Sequence, residues 1–208
     1  MYGLPGIGKT QIAKEYSYRN YNKYTVIWWF DSTRPLKIQL IDFCCELVEN
    51  KFSEGDVETI KKMNEQKLKM FLGKILKNIT QDILIILDDA NQNIEIYSIF
   101  KKYNSKHIKT LITTNKKINS DNQIKVAEFN KEETLELFRQ KLGADKTDKF
   151  YKLSSVLGYY PIAITQACNF LKTNSSISVD SYIQIFNSKP GFIWQRQDEQ
   201  NHDQSPYY

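Results

Sequence analysis

Cysteine and histidine are scarce in this sequence of 208 residues, which contains three cysteines and two histidines. Cys44 and Cys45 are direct neighbours and Cys168 stands alone, so no pair has the spacing of a disulfide framework or a zinc site. His107 and His202 have no second histidine or cysteine at ligand spacing. We therefore expect reduced cysteines, and no metal site other than one that a bound ligand brings with it.

Long hydrophobic runs are also lacking. The longest apolar runs span residues 25–30 and 83–87, which is the length of a strand and far below the roughly 18 to 20 residues of a membrane-spanning helix. The residues that follow Met1 do not have the character of a signal peptide. The sequence therefore predicts a cytoplasmic protein with no membrane segment.

Charge of one sign is not concentrated anywhere in the chain. The net charge of +5 comes from lysines scattered over polar positions rather than from a dense basic stripe, so charge alone does not predict nucleic-acid binding. Arginine is rare and dispersed, since the only arginines are Arg19, Arg34, Arg139 and Arg196.

What the sequence does contain is an alternation of helix and strand patterns over residues 1–128. Strands alternating with helices are typical of a parallel α/β sheet. The apolar run at residues 83–87 is bounded by Asp82 and Asp88, which is the pattern of a central strand buried on both faces. The predicted helices cover residues 11–21, 40–48, 68–76 and 93–102, a loop or short broken helix covers 52–58, and the predicted strands cover 24–30, 83–87, 109–113 and 123–127.

Helical patterns alone follow over residues 129–188. Asn130 and Glu133 have the spacing of a capping box, Gly143 is a predicted C-cap, and Pro161 suits the first turn of a helix. Further helices are predicted over residues 148–157, 161–171 and 178–187. These residues predict a small all-helical subdomain, and residues 189–208, which show no periodicity, predict a disordered tail.

A glycine-rich loop carries the clearest chemical signal. Residues 3–10 fit the pattern G-x-x-x-x-G-K-[ST], whose backbone N–H groups surround phosphates. The helix that follows adds its positive N-terminus. Lys9 would contact the β- and γ-phosphates of ATP, and the Thr10 hydroxyl would bind Mg²⁺. The predicted nucleotide-binding residues of the loop are Gly3, Pro5, Gly6, Ile7, Gly8, Lys9, Thr10 and Gln11.

Two acidic residues end the buried strand at residues 83–87. Asp88 is placed to reach Mg²⁺ beside the phosphates, and Asp89 could polarise an attacking water as the catalytic general base. Acidic residues after a strand also serve as helix caps, so the assignment of this pair to the metal and the water depends on the presence of the glycine loop. Together they predict a Walker A loop and a Walker B strand.

These motifs resemble the NB-ARC family of signal-transducing P-loop NTPases. The resemblance rests on residues 3–10, 84–89, 111–114 and 157–163, in this order and spacing, and it extends to about residue 187. It implies a three-layer P-loop fold and a switch that is closed with ADP and open with ATP. It also implies effector and sensor domains in a longer chain, and a homo-oligomer formed through the nucleotide domain.

Two positions after the Walker motifs gain a role only from this resemblance. The family generally places a phosphate-sensing arginine after its threonine pair, whereas this sequence has Asn115, which can hydrogen-bond a phosphate oxygen but carries no charge. Pro161 is expected to pack against adenine from the helical subdomain. The sequence therefore lacks the charged γ-phosphate sensor that the family generally has at this position.

Only Met1 and Tyr2 precede the glycine loop, where the fold has a central strand. In the family's sheet we expect that strand between the strand ending at Asp88 and the strand ending at Thr114, so its loss would split the sheet. Nothing after residue 187 resembles the winged-helix subdomain of the family. We therefore expect a sequence truncated at both ends.

The function expected from these residues is a regulatory switch that binds ADP or ATP with Mg²⁺ and is at most a slow ATPase. One alternative is an AAA+-like motor ATPase or a small-molecule kinase, although a kinase needs an arginine-rich lid that the scattered arginines do not provide. Another is an incomplete fragment with no independent activity.

Overall fold

The computed structural model describes residues 1–90, 94–102, 106–118, 122–143 and 148–188. The chain divides into two compact units, Met1–Val126 and Ala127–Tyr208. The predicted tail at residues 189–208 lies outside the described residues. Within those described ranges, no helix combines the length and the apolarity needed to cross a membrane.

Helices and strands alternate in the first unit. Local caps explain where several helices begin: the Asp56 side chain accepts from the Thr59 N–H, and the Asn64 side chain accepts from the Lys67 N–H. In chain order the elements are α1 (Lys9–Arg19), β1 (Val26–Asp31), α2 (Leu36–Glu49), α3 (Val57–Lys61), α4 (Glu65–Asn78), β2 (Ile83–Asp88), α5 (Ile94–Lys102) and β3 (Ile108–Ile112).

The three strands form a parallel sheet in the order β1-β2-β3. Asp31 is opposite Asp88, and Leu87 is opposite Ile112. Residues Ile83 to Leu87 are all buried, as expected for a central strand of a parallel sheet. Because the strands are parallel, their carboxyl ends meet at one edge, and the predicted Walker B residues Asp88 and Asp89 lie there.

The expectation that the sheet is split between β2 and β3 is wrong. These two strands are hydrogen-bonded neighbours, and the residues before the glycine loop lie on the other side of β3. There Tyr2 forms parallel bridges to both Thr114 and Lys125. The predicted strand at residues 123–127 is reduced to that single bridge. A two-residue segment offers only a few backbone groups, which limits the pairing it can support.

Helices cover both faces of the sheet, which confirms the predicted three-layer α/β fold. On one face, Ile83, Ile85 and Leu87 pack against residues of α2, α4 and α5. On the other face, Leu84 and Ile86 pack against Ala13 of α1. Alternate β2 residues thus enter two separate cores, which explains why the strand is apolar throughout.

The second unit is helical, with α6 (Lys131–Leu142), α7 (Asp148–Val156), α8 (Pro161–Thr173) and α9 (Val179–Ser188). The predicted capping box is present, because Asn130 Oδ1 accepts from the Glu133 N–H at 2.8 Å and the Glu133 carboxylate accepts from the Asn130 N–H. Gly143 ends α6 with a φ of 62°, as a left-handed C-cap requires. The core of this unit includes Phe138, Phe150, Leu153, Ile164, Cys168 and Tyr182.

Candidate nucleotide-binding site

The glycine loop starts from backbone that is paired on both sides. The Tyr2 N–H donates to Ile124 O at 2.9 Å, and the Val126 N–H donates to Tyr2 O at 2.8 Å. On the β3 side, the Gly3 N–H donates to Thr114 O at 3.2 Å. The start of the loop is therefore fixed at the carboxyl end of β3, the end where the Walker B residues of β2 also lie.

Three glycines of the loop are required for different physical reasons. At Gly3 a Cβ atom would lie 2.5 Å from Val126 O, so no larger residue fits. Gly6 and Gly8 have φ angles of 75° and 97°, a left-handed region that residues with a Cβ atom rarely adopt. Gly8 also directly precedes α1, which places the positive helix N-terminus at the end of the loop.

Lys9 is the first residue of α1 and points back into the loop. Its side chain is buried, with a residue exposure of 7%. The amino group donates to Gly3 O and Leu4 O, both at 2.9 Å, and to Asn115 Oδ1 at 2.8 Å. The lysine and Asn115, which the sequence placed in one site, are thus in direct contact.

Two effects act on the pKa of the Lys9 ammonium in opposite directions. Burial lowers the pKa of the Lys9 ammonium, whereas the negative charges of Asp89 and Asp88 act to raise it. Burial outweighs the two carboxylates, so the pKa of the Lys9 ammonium is below its usual value.

The Thr10 hydroxyl and the Asp88 carboxylate meet across α1 and β2. Thr10 Oγ1 donates to Asp88 Oδ1 at 2.9 Å and lies 3.1 Å from Oδ2. Hydroxyl and carboxylate oxygens are ligands that Mg²⁺ accepts, usually together with phosphate and water. Among the described residues, no group of three or more His, Cys, Asp or Glu could hold a metal ion. The Thr10 hydroxyl and the Asp88 carboxylate are therefore the neighbouring oxygen donors in this part of the site.

Sequence reasoning missed two hydroxyl groups that hold the Walker B aspartates. Thr113 Oγ1 donates to Asp88 Oδ1 and accepts from the Asp89 N–H at 2.9 Å. Ser32 Oγ donates to the Asp89 carbonyl oxygen. The signal for Thr113 was its position one residue after Ile112, which pairs with Leu87, but that register is visible only in the sheet.

The remaining predicted residues are divided between the two units. In the first unit Ile7 is buried, whereas Pro5 and Gln11 are exposed. Pro161 is buried at the first turn of α8 in the second unit. Its contact with adenine stays a prediction.

Comparisons with known proteins identify the family of this chain and its fold. The profile of the NB-ARC domain matches residues 1–148. Among solved structures, the chain is similar to a signal transduction ATPase with numerous domains (STAND) from Pyrococcus horikoshii, which has a tetratricopeptide repeat sensor. The two share 22% identity with a TM-score of 0.57, over 79% of this chain and 26% of that one.

A second similar structure is the ORC2 protein of Aeropyrum pernix, solved as ADPNP-ADP complexes. It shares 16% identity with a TM-score of 0.58, over 90% of this chain and 60% of that one. These likenesses show the P-loop fold, and the chain spans about a quarter of the STAND protein. No curated protein matches the sequence. Because the family profile matches well over half of its length, the chain belongs to the NB-ARC family.

Proposed function

We propose that this chain is a nucleotide-binding switch module that holds ADP or ATP with Mg²⁺ and hydrolyses ATP slowly or not at all. The observation that carries the proposal is the position of Lys9. Its ammonium is buried inside a loop of left-handed glycines, where its hydrogen-bond partners are neutral oxygens. A buried cation with only neutral direct partners favours an anionic ligand.

Phosphate binding would use groups that the loop already presents. Left-handed conformations such as those of Gly6 and Gly8 are found in loops whose backbone N–H groups bind anions, and the first turn of α1 adds its positive end. Lys9 would exchange its bond to Asn115 for one to a phosphate oxygen. Such a charge-assisted bond is stronger than a neutral one.

The metal would be held by Thr10 and Asp88, which are already in contact. A bound Mg²⁺ would supply neutralisation of phosphate charge. Asp89 is exposed and follows Asp88 directly, so we assign it the role of orienting and polarising a water. Asn115, which carries no charge, stands where the family generally places an arginine, and the loss of that charge favours slow hydrolysis.

Asn115 would act as the residue that distinguishes nucleotide states. Its amide oxygen lies 2.8 Å from Lys9 Nζ, so a phosphate that replaces this bond would release the Asn115 side chain. An amide offers one neutral bond where a guanidinium would offer a charged fork. We therefore expect a smaller preference between ATP and ADP than an arginine in this position would give.

The role of the whole protein is inferred from the family alone. We propose a cytoplasmic signalling protein in which effector and sensor domains accompany this module and the nucleotide domain mediates homo-oligomer formation. Adenine would be contacted by Pro161. Each of these statements comes from resemblance rather than from a contact within the chain.

Thermal unfolding with and without ADP and Mg²⁺ tests the proposed function. A ligand at about 100 times its Kd stabilises the folded state by about 2.7 kcal/mol, which raises the Tm of a domain of this size by about 5 to 10 °C. Lys9→Ala should abolish the increase. Lys14→Ala, an exposed lysine on the same helix, is the matched control and should retain it. An unchanged Tm of the wild-type chain at millimolar ADP would refute the proposal.

A further inference from the structure

Thr113 occupies an unusual position between two acidic residues. Its residue exposure is 1%, and its single hydroxyl contacts both members of the Asp88-Asp89 pair. The hydroxyl proton goes to the Asp88 carboxylate, because an ionised carboxylate can only accept. The oxygen lone pair accepts from the Asp89 N–H. One hydroxyl group therefore fixes the direction of the Asp88 side chain and the start of the Asp89 backbone.

Asp89 needs such fixing because its backbone is in the left-handed region, with a φ of 51°. Residues with a Cβ atom disfavour this region, although aspartate tolerates it better than most. Neighbouring strand ends hold the turn in place: the Ala90 N–H donates to Thr113 O at 2.8 Å, and Ser32 Oγ donates to Asp89 O. Thr113 and Ser32 thus clamp the turn from the ends of β3 and β1.

The same carboxylate oxygen joins Thr113 to the metal site. Asp88 Oδ1 accepts from Thr113 Oγ1 and also from Thr10 Oγ1. Rotation of the carboxylate away from Thr10 would break the bond to Thr113. The buried threonine therefore restricts Asp88 to orientations in which its oxygens face the metal ligand on α1.

We propose that Thr113 is a positioning residue that couples Mg²⁺ binding to nucleotide binding by holding Asp88 towards Thr10. This inference rests on the proposed function, because it explains how Asp88, a proposed metal ligand of the same site, is held in place. Thr113 acts through Asp88 and is not among the residues assigned to phosphate or metal. The expected signature is a loss of the metal-dependent gain in affinity, with metal-free affinity preserved.

The test is the affinity for adenylyl imidodiphosphate, measured by calorimetry in Mg²⁺ and in EDTA. We define the metal gain as the Kd in EDTA divided by the Kd in Mg²⁺. Thr113→Val keeps the shape and removes both hydrogen bonds, so the metal gain should fall about tenfold while the Kd in EDTA stays within about twofold. Thr113→Ser keeps the hydroxyl and should restore the gain. Thr134→Val, a buried threonine of α6, is the control and should keep it.

Two further variants separate positioning from a general loss of structure. In an Asp88→Asn background, Thr113→Val should change the metal gain no further, because the carboxylate through which it acts is gone. Thr113→Ala also removes the hydroxyl and should lower the gain about tenfold, and it carries the test if Thr113→Val does not fold. The proposal is supported only if Thr113→Ser retains the metal gain that Thr113→Val loses.

The outcomes are distinguishable. A full metal gain in folded Thr113→Val overturns the inference and leaves nucleotide binding intact. Equal affinities of the wild-type chain in Mg²⁺ and EDTA also overturn it, again without contradicting nucleotide binding. Failure of the wild-type chain to bind in either buffer contradicts the proposed function, and the inference falls with it.

Discussion

Replacement of Gly3 by alanine places a methyl group where the first turn of the glycine loop has no room. The added Cβ would lie 2.5 Å from Val126 O and 3.3 Å from the Ile7 side chain. Real Cβ atoms stay at least 3.0 Å from such neighbours, so the two backbone segments must separate by at least 0.5 Å, the difference between these distances.

That separation acts on the pairing that anchors the loop. It would lengthen the 2.8 Å bond from the Val126 N–H to Tyr2 O and the 2.9 Å bond from the Tyr2 N–H to Ile124 O. Loss of two backbone hydrogen bonds costs about 2 kcal/mol, and the reduced chain entropy of unfolded alanine offsets about 0.4 to 1 kcal/mol. The free energy of unfolding should therefore fall by about 1 to 2 kcal/mol, which lowers the Tm by about 2 to 8 °C.

Urea and thermal unfolding of Gly3→Ala measure this change directly. Leu4→Ala is the control, because Leu4 is 57% exposed and its truncation should change stability little.

A second comparison uses asparagine, which tolerates left-handed backbone. Gly8→Asn should be more stable than Gly8→Ala, since no atom lies within 4 Å of a Cβ at Gly8. Gly3→Asn should gain nothing over Gly3→Ala. Wild-type stability of Gly3→Ala would refute the steric reasoning.

Two further predictions concern the second unit. Asn130→Ala removes the acceptor of the Glu133 N–H and should lower the free energy of unfolding by about 1 kcal/mol in a thermal melt. Glu132→Ala, a change at an exposed residue of the same turn, is the control. Equal melting temperatures of the two variants would contradict the role of the cap. Burial raises the pKa of the Cys168 thiol from 9.0 to about 12, so above pH 9 the unfolded chain releases a proton that the folded chain keeps. The free energy of unfolding should fall by about 1.4 kcal/mol per such thiol at pH 10. In urea titrations, the stability of Cys168→Ala should therefore fall less between pH 8 and pH 10 than that of the wild-type chain. An equal fall in both proteins would contradict this prediction.

Local chemistry explains which parts of the fold could be predicted from the sequence. The capping box at Asn130 and the left-handed C-cap at Gly143 depend on residues within one turn, so spacing alone located them. The buried strand before Asp88 was visible because a strand covered on both faces must be apolar throughout. The glycine loop is equally local, since its pattern fixes its own turns.

Features that depend on distant pairing were not accessible in the same way. The side of β3 on which Tyr2 lies is decided by the backbone hydrogen bonds that Met1 and Gly3 make with Thr114 and that Tyr2 makes with Ile124. These partners are more than a hundred residues away in sequence. Nothing in the composition of a two-residue segment encodes that choice. The hydroxyl bridge from Thr113 to Asp88 likewise requires the register of β2 and β3, which only the assembled sheet defines.

Calorimetric titration of the 208-residue chain with Mg·ADP, beside Lys9→Ala, tests nucleotide binding most directly. One ADP should bind per chain, and the Lys9→Ala variant should bind at least tenfold more weakly, because a charge-assisted bond from a buried ammonium is lost. Absence of binding heat from the folded wild-type chain, or equal affinity in the two proteins, would contradict the assignment of this loop as a nucleotide site.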